Sequence, residues 1–499
     1  MPLFTYVGRA HLFTLGAIFV LAGNGLAQLP SYSAGQTLIQ EAGRDGIANP
    51  SKATVVKMTI HAAVAPVPAL KYQLLPEVPD LKPGNAALLY QRAHSTDWWF
   101  HFIRNNESEK IANFLDMPLR KMPRERGMLL AGPLREMDLA ARREYCDWEL
   151  TPRLREEGYS LLIPDVQGFR TFGQMLALRA RLDMLDGQFD QTVTDLQTGF
   201  ALSRHVSEAP CLVNSLVGMA IGESMFSQLE EFVQLDKAPN LYWALADLPR
   251  PFIDLRRPMQ GEKLGITSIV QDIHNAIRNP SQSPIPVQTL NKYLENLRQV
   301  SAHGAGTDFR FFVTLMAARS FPAGKEYLRK HGFAAEQIDA LPVTQVALMY
   351  ALALLEESYD EVYKWQGFPY WQARPGIAKA RKLIDQMVQD QGEAMFLARD
   401  LTPAVDKVMF TRARTDRRVA MLQIVEAVRL HAAEAGKLPE HLEDIHAVPI
   451  PIDPVTGKAF QYSLEANRAI LYAPPPAGEA ASEENALRYE LTLAAATKK

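Results

Sequence analysis

FGQMLALRARLDMLDGQFDQTVTDLQTGFALSRHVSE, residues 172–208, is the stretch on which the fold turns. Leu178, Leu182 and Leu185 recur at helical spacing, so one helix carries them on a single face. Gly187 interrupts the run inside the turn Asp186–Asp190. Val193, Leu196 and Phe200 then form the matching face of a second helix. Two amphipathic helices across a short turn predict a helical hairpin, and a chain built by stacking two-faced helices.

The helical period extends to both sides of this hairpin. It opens at Asn85 with NAALLYQRA and runs through DWWFHFIRNNESEKIANFL (97–115). It continues in LREMDLAARREYCDWELTPRLREEG (134–158), where Pro152 must bend or end a helix. Further helices are expected over 211–235, 240–248, 288–300, 343–365 and 374–390. The last long one, 416–436, stops at Gly436 in the manner of a glycine C-cap. NPSQSPIPV (279–287) clusters poor helix formers and reads as an internal linker.

Alternation replaces this period near the two ends. Val56, Met58 and Ile60 alternate with polar residues, as do Leu70, Tyr72 and Leu74, so each run predicts a strand, with APVP between them. After the last helix, Asp453-Pro454 and Thr456-Gly457 supply turn chemistry. Phe460, Tyr462 and Leu464 then alternate, and so do Ile470 and Tyr472 across a reversal at Glu465–Arg468. This hairpin needs the preceding helix to cover its apolar face, because two strands alone are marginal in water. Leu487, Tyr489, Leu491 and Leu493 offer a third strand beyond PPPAGEAASEEN, which reads as a disordered linker.

The fold class expected is therefore mainly α: a helical-repeat-like bundle or solenoid with small β-hairpin elements near the N- and C-termini. Its parts are a leader (1–27), a lead-in with short β segments (28–84), and a first helical domain (85–278). A second helical domain (288–436), a turn and hairpin (437–473), and a linker with a last strand (474–499) follow.

The leader is read from Arg9 and His11, which precede the apolar run Leu12–Ala22, and from the small residues Gly25-Leu26-Ala27. Cleavage is expected before Gln28, giving an exported chain, periplasmic or extracellular. The run is shorter than the roughly 18 residues of a membrane span, and no span is expected in the mature chain; an uncleaved anchor is the alternative. Two cysteines in 499 residues, Cys146 and Cys211, form no disulfide framework; they pair or lie apart as buried thiols. The chain is 22% charged with net charge −3 and has no basic block, which excludes nucleic acid as an expected partner.

The chemistry of the chain is sparse. HExxH, GxSxG, P-loop and GxGxxG patterns do not occur. His431, His441, Glu443, Asp444 and His446 are the densest ligand group, read as solvent-facing residues around a turn started by Pro439. Glu356, Glu357, Asp360 and Glu361 place carboxylates four apart. Lys364 beside them suggests a solvated face rather than acid–base work. SAHGAGTDF (301–309) has the look of an oxyanion loop without a nucleophile to serve. Trp98, Trp99, Phe100 and Phe102 are read as core rather than as a sugar-stacking surface. Asp453 is the one weak metal candidate, with Thr456 beside it. Its other reading is a carboxylate that fixes the turn by accepting backbone N–H groups. No cofactor is expected.

Three resemblances accompany these residues. The hairpin at 172–208 is similar to a tetratricopeptide unit, although no 34-residue echo follows it. The segment 417–472, with a long helix, GxxPxxL, DPxxGxxxxY and a hairpin, resembles the globular end of major pseudopilins of type II secretion systems; that resemblance implies calcium near the hairpin. Over its whole length the chain resembles exported helical proteins of planctomycete-type bacteria, through residues 70–93, 176–205, 238–256, 341–373 and 451–472. That likeness implies compartment and fold but no activity. The function expected is a non-catalytic exported scaffold with a protein or peptide partner. The alternatives are an enzyme without a recognisable motif and a calcium-binding, secretion-linked module.

Overall fold

The fold is that of a computed structural model, which describes residues 52–495 apart from 106, 125–128, 130, 159–160, 162, 164–165, 280–283, 301–308 and 402–404. The expected leader, the lead-in to residue 51 and nearly all of SAHGAGTDF lie outside the described residues.

In chain order, β1 (Thr54–Ile60) and β2 (Lys82–Asn85) precede the helices α1 (Ala86–His94), α2 (Asp97–Arg104), α3 (Glu107–Asp116) and α4 (Ala131–Ala141). After β3 (Arg143–Tyr145) come α5 (Leu150–Glu157), α6 (Val166–Leu185), α7 (Phe189–Ser207), α8 (Leu212–Phe232) and α9 (Tyr242–Ala246). Next are α10 (Arg256–Ile269), α11 (Gln271–Arg278), α12 (Val287–Val300), α13 (Phe309–Lys330) and α14 (Ala335–Ala340). The chain continues with α15 (Val343–Tyr363), α16 (Tyr370–Gln391), α17 (Phe396–Leu401) and α18 (Val405–Ala435), and ends with β4 (Gln461–Glu465), β5 (Arg468–Ala473) and β6 (Leu487–Leu493). The protein is mainly helical, with small strand elements contributed by both end regions.

The hairpin read from 172–208 is α6 and α7. Gly187 takes φ +69° at the turn, where a side chain would be strained, and α8 packs on both helices. Pro152 does not bend a long helix. The 134–158 stretch divides into α4, β3 and α5, and the proline falls in the first turn of α5, where its missing N–H is tolerated. The expected boundary near 279–287 does not separate two cores, because one hydrophobic cluster runs from Met58 through α6–α8 and α15 to Leu491.

Helix α18 is the axis of that cluster. Apolar residues line it on nearly every side, from Val408 and Met409 to Val428 and Leu430, as expected of a helix buried all round. Gly436 ends it at φ +70°, with its N–H bonded to Ala432 O at 3.0 Å. Four charged residues are nonetheless buried along it, Arg412, Arg417, Glu426 and Arg429.

Three arginines of this helix, Arg417, Arg418 and Arg429, each fasten a distant segment. The Arg417 guanidinium makes a two-pronged pair with Asp453 (Nε to Oδ1 2.9 Å, Nη2 to Oδ2 2.8 Å) and donates to Asn485 O and Pro474 O at 2.8 and 2.9 Å. Residues 474–485, expected to be disordered, are thus ordered by the guanidinium and by Arg374, which donates to Ala477 O at 3.0 Å and Glu479 Oε1 at 2.7 Å. Arg429 pairs with Glu426 and donates to His61 O at 2.9 Å and Ala238 O at 2.7 Å. Arg418 clamps α8 by bonding Glu223, Ser227 and Glu230, which recur along one face of that helix, at 2.7–2.9 Å.

The two sets of strands expected at opposite ends form one sheet, in the order β1-β6-β5-β4. β1 runs parallel to β6 with Met58 opposite Leu491; β6–β5 and β5–β4 are antiparallel. Met58, Ile60, Leu471, Tyr489 and Leu491 are buried in the core, and the Tyr489 hydroxyl donates to Glu230 of α8. The predicted strand at 69–76 does not form. Its carbonyls at Gln73 and Leu75 accept instead from the Gln197 side chain of α7, at 3.3 and 3.1 Å. Side chains satisfy this segment where a ladder was expected.

Arg417→Met leaves the Asp453 carboxylate buried without its counter-ion and should cost about 3–5 kcal/mol of stability. In urea titrations, Arg417→Met combined with Asp453→Asn should cost less than the sum of the single changes; strict additivity would refute the coupling. A second outcome concerns Gly457, at φ +70°, where an added Cβ would meet the Trp371 ring at 2.5 Å. Gly457→Ala should lower stability by about 1–3 kcal/mol, and by less when Trp371 is replaced by alanine, a difference that thermal melts can read.

Candidate functional site

Asp453 is wholly buried and every lone pair it offers is taken. Beyond Arg417, Oδ1 accepts the Val455 N–H at 2.9 Å and Oδ2 accepts the Thr456 hydroxyl at 2.8 Å. Its own backbone closes the turn, with Gly457 N to Asp453 O and Asp453 N to Lys458 O both 2.8 Å. A guanidinium therefore stands where the pseudopilin resemblance would put calcium, and the geometry is that of the turn-fixing alternative. Among the described residues, no group of three or more His, Cys, Asp or Glu is placed to hold a metal ion.

The other sequence candidates disperse. Glu356 lies 2.8 Å from His274 Nδ1, Asp360 pairs with Lys263 at 2.8 Å, and Glu361 pairs with Lys364 at 2.6 Å. Lys364 thus serves Glu361 and not Asp360. Although Glu356 is half-buried, the His274 contact holds its carboxyl below the usual range. Around 441–446, Asp444 accepts the His441 N–H at 2.8 Å and caps a short turn. The aromatics at 98–102 split by face. Trp99 and Phe102 stack inside the core with ring centroids 5.8 Å apart, whereas Trp98 and Phe100 are exposed.

Sequence reading missed three arrangements. The first lies inside the repeat-like hairpin. Arg179 of α6 makes a two-pronged pair with Asp138 of α4, at 3.0 and 2.7 Å, and its Nε lies 2.9 Å from Asp195 Oδ1 of α7. The Nε–H is not aimed along that last line, so the contact is ionic rather than a hydrogen bond. Two carboxyls from two other helices flank one guanidinium here, a convergence that no local motif announces. The second is a buried cluster in which Tyr90 Oη lies 2.9 Å from His205 Nδ1 and stacks on Trp148. Burial pushes the His205 pKa down to about 4, so the imidazole is neutral.

The third arrangement is an open cleft of about 240 Å³ between residues 71–80 and the outer face of α7. Lys71 donates to the Tyr72 hydroxyl at 3.0 Å, and that hydroxyl donates to Asp190 at 2.8 Å. Gln73, Glu77, Asp80, Val193, Thr194 and Gln197 complete the lining. Desolvation raises the Tyr72 pKa, so the phenol keeps its proton and the chain of donors from lysine to carboxylate persists at neutral pH. The signal in the sequence was the alternation of Leu70, Tyr72 and Leu74, which was read as a strand; Leu74 is buried and Tyr72 half-buried, whereas Leu70 is exposed. No helix among the described residues is long and apolar enough to cross a membrane.

Cys146 and Cys211 are separate buried thiols. Burial raises both pKa values, that of Cys211 to about 12, which suppresses the reactive thiolate. Both should resist a thiol reagent in the native protein and react together on unfolding; fast labelling in buffer would contradict this. Comparison of the chain with protein-family models, with curated proteins and with solved structures gives no match.

Proposed function

We propose that the protein is an exported, non-catalytic helical scaffold that holds an extended peptide or protein segment in the cleft along α7. The observation that carries this reading is the cleft itself. Its floor is the second helix of a tetratricopeptide-like hairpin, and its wall is a chain segment already fixed by side-chain hydrogen bonds. Such a site is preorganised, so little ordering of the protein opposes binding. Lys71 and Asp190 present a cation and an anion side by side, a pattern suited to peptide backbone and polar side chains. The helical-repeat kinship and the export of the chain belong to this proposal.

Thr194 lies at the centre of the α7 face and is partly exposed. Ligands selected from a random-peptide library on the wild-type protein should lose at least about tenfold in affinity (1.4 kcal/mol) against Thr194→Arg. Unchanged helical circular dichroism would show that the fold is kept, and equal affinity for the two proteins would refute the cleft as the site. Mass spectrometry of exported material should find Gln28 at the N-terminus, and an intact Met1 would refute cleavage there.

A further inference from the structure

The cleft along α7 is unevenly charged. Its lining holds one cation, Lys71, and three carboxylates, Glu77, Asp80 and Asp190. Lys71 is already matched: its ammonium lies 3.7 Å from Asp190 Oδ1 and donates to the Tyr72 hydroxyl at 3.0 Å. Arg142, just after α4, is committed as well, donating to Gln197 Oε1 at 2.8 Å, to Thr198 and to Asp138 O. That bond takes the Gln197 amide oxygen, so its nitrogen turns to Gln73 O and Leu75 O and pins the wall of the cleft to the helix. Two carboxylates remain unmatched. Glu77 and Asp80 are exposed, and neither has an ion pair within 4.0 Å among the described residues.

Neither carboxylate is occupied in holding the fold. Glu77 stands before a single tight turn of helix, Val78–Asp80, but its side chain does not cap that turn. The backbone closes it instead, with Asp80 N to Glu77 O at 2.9 Å and Leu81 N to Val78 O at 3.2 Å. In so tight a turn, side chains three residues apart stand one above the other, which brings both carboxylates to one rim of the cleft. Pro76 precedes Glu77 and Pro79 precedes Asp80, so the backbone carrying the two charges has little freedom left to lose. Like charges held at one rim repel each other. A cation between them relieves that repulsion and is attracted to both.

We infer that the cleft selects a basic segment, with a lysine or arginine side chain of the bound peptide seated between Glu77 and Asp80. The inference rests on the cleft being the binding site and adds the class of partner it takes. Lys71 and Asp190 sum to no charge and leave the selectivity to the other two groups. Because both are exposed, each contributes modestly and is screened by salt.

Selection of a random-peptide library on the wild-type protein tests this. Thr194→Trp fills the cleft without adding charge. Peptides that bind wild type and are lost on that change should be enriched in Lys and Arg over the unselected library. One such lysine peptide should bind the double variant Glu77→Gln/Asp80→Asn about fivefold more weakly at low salt. The same peptide with glutamine in place of lysine should bind the two proteins equally. Absence of basic enrichment, or equal affinity of the lysine peptide for both proteins, would overturn the inference and leave the cleft in place. Binding that ignores Thr194→Trp, or a library that yields no binders, would instead remove the cleft and this inference with it. Unchanged helical circular dichroism of the variants checks that the fold is kept.

Discussion

A charge inside a protein must meet its opposite or lose its charge, and the interior of this chain is organised around that constraint. Helix α18 carries Arg417 and Arg429 into a region where neither is solvated. Each is matched by one carboxylate and by carbonyl oxygens from segments far away in the chain. A buried ion pair stabilises little against a well-packed apolar pair of the same volume. What it supplies here is addressing. A guanidinium has five donors in a fixed plane, so only one arrangement of the Asp453 turn, Asn485 and Pro474 satisfies it. The apolar cluster could tolerate sliding; the arginines do not.

The helices were legible because their signal is local. Leu178, Leu182 and Leu185 state a period within two turns, and Gly436 states an end. The sheet was only half legible. Alternation identified β1, β4, β5 and β6 one by one, but the pairing of Met58 with Leu491 spans most of the chain and leaves no mark on either segment. The run at 70–74 misled for the same reason. A ladder and a side-chain donor to alternate carbonyls ask the same alternation of a sequence, and Gln197, which decided between them, is more than a hundred residues away. Asp453 was visible as turn chemistry, whereas Arg417, which completes it, carried no signal of its own at the start of the last long helix.

The polar sites share a design. In the α6–α7 hairpin, along α18 and beside residues 71–80, ionisable side chains come from separate segments of the chain and are held by neighbours already fixed in place. The first two are largely buried and serve the framework. The third faces outward on the back of α7, so the helix that bears Asp195 on its inner side bears Asp190 on the outer. A change in how that helix seats against α6 would be felt on both faces.

The parallel pairing of β1 with β6 has a consequence for how the molecule is made. β6 is an interior strand, flanked by the earliest described strand on one side and by β5 on the other. Its neighbour β1 is synthesised hundreds of residues sooner and must wait, with an unpaired edge and the apolar side chains of Met58 and Ile60, until the final strand emerges. Such waiting edges recruit foreign strands. The molecule therefore has a vulnerable infancy in which β1 has no partner, and the arrival of β6 ends it.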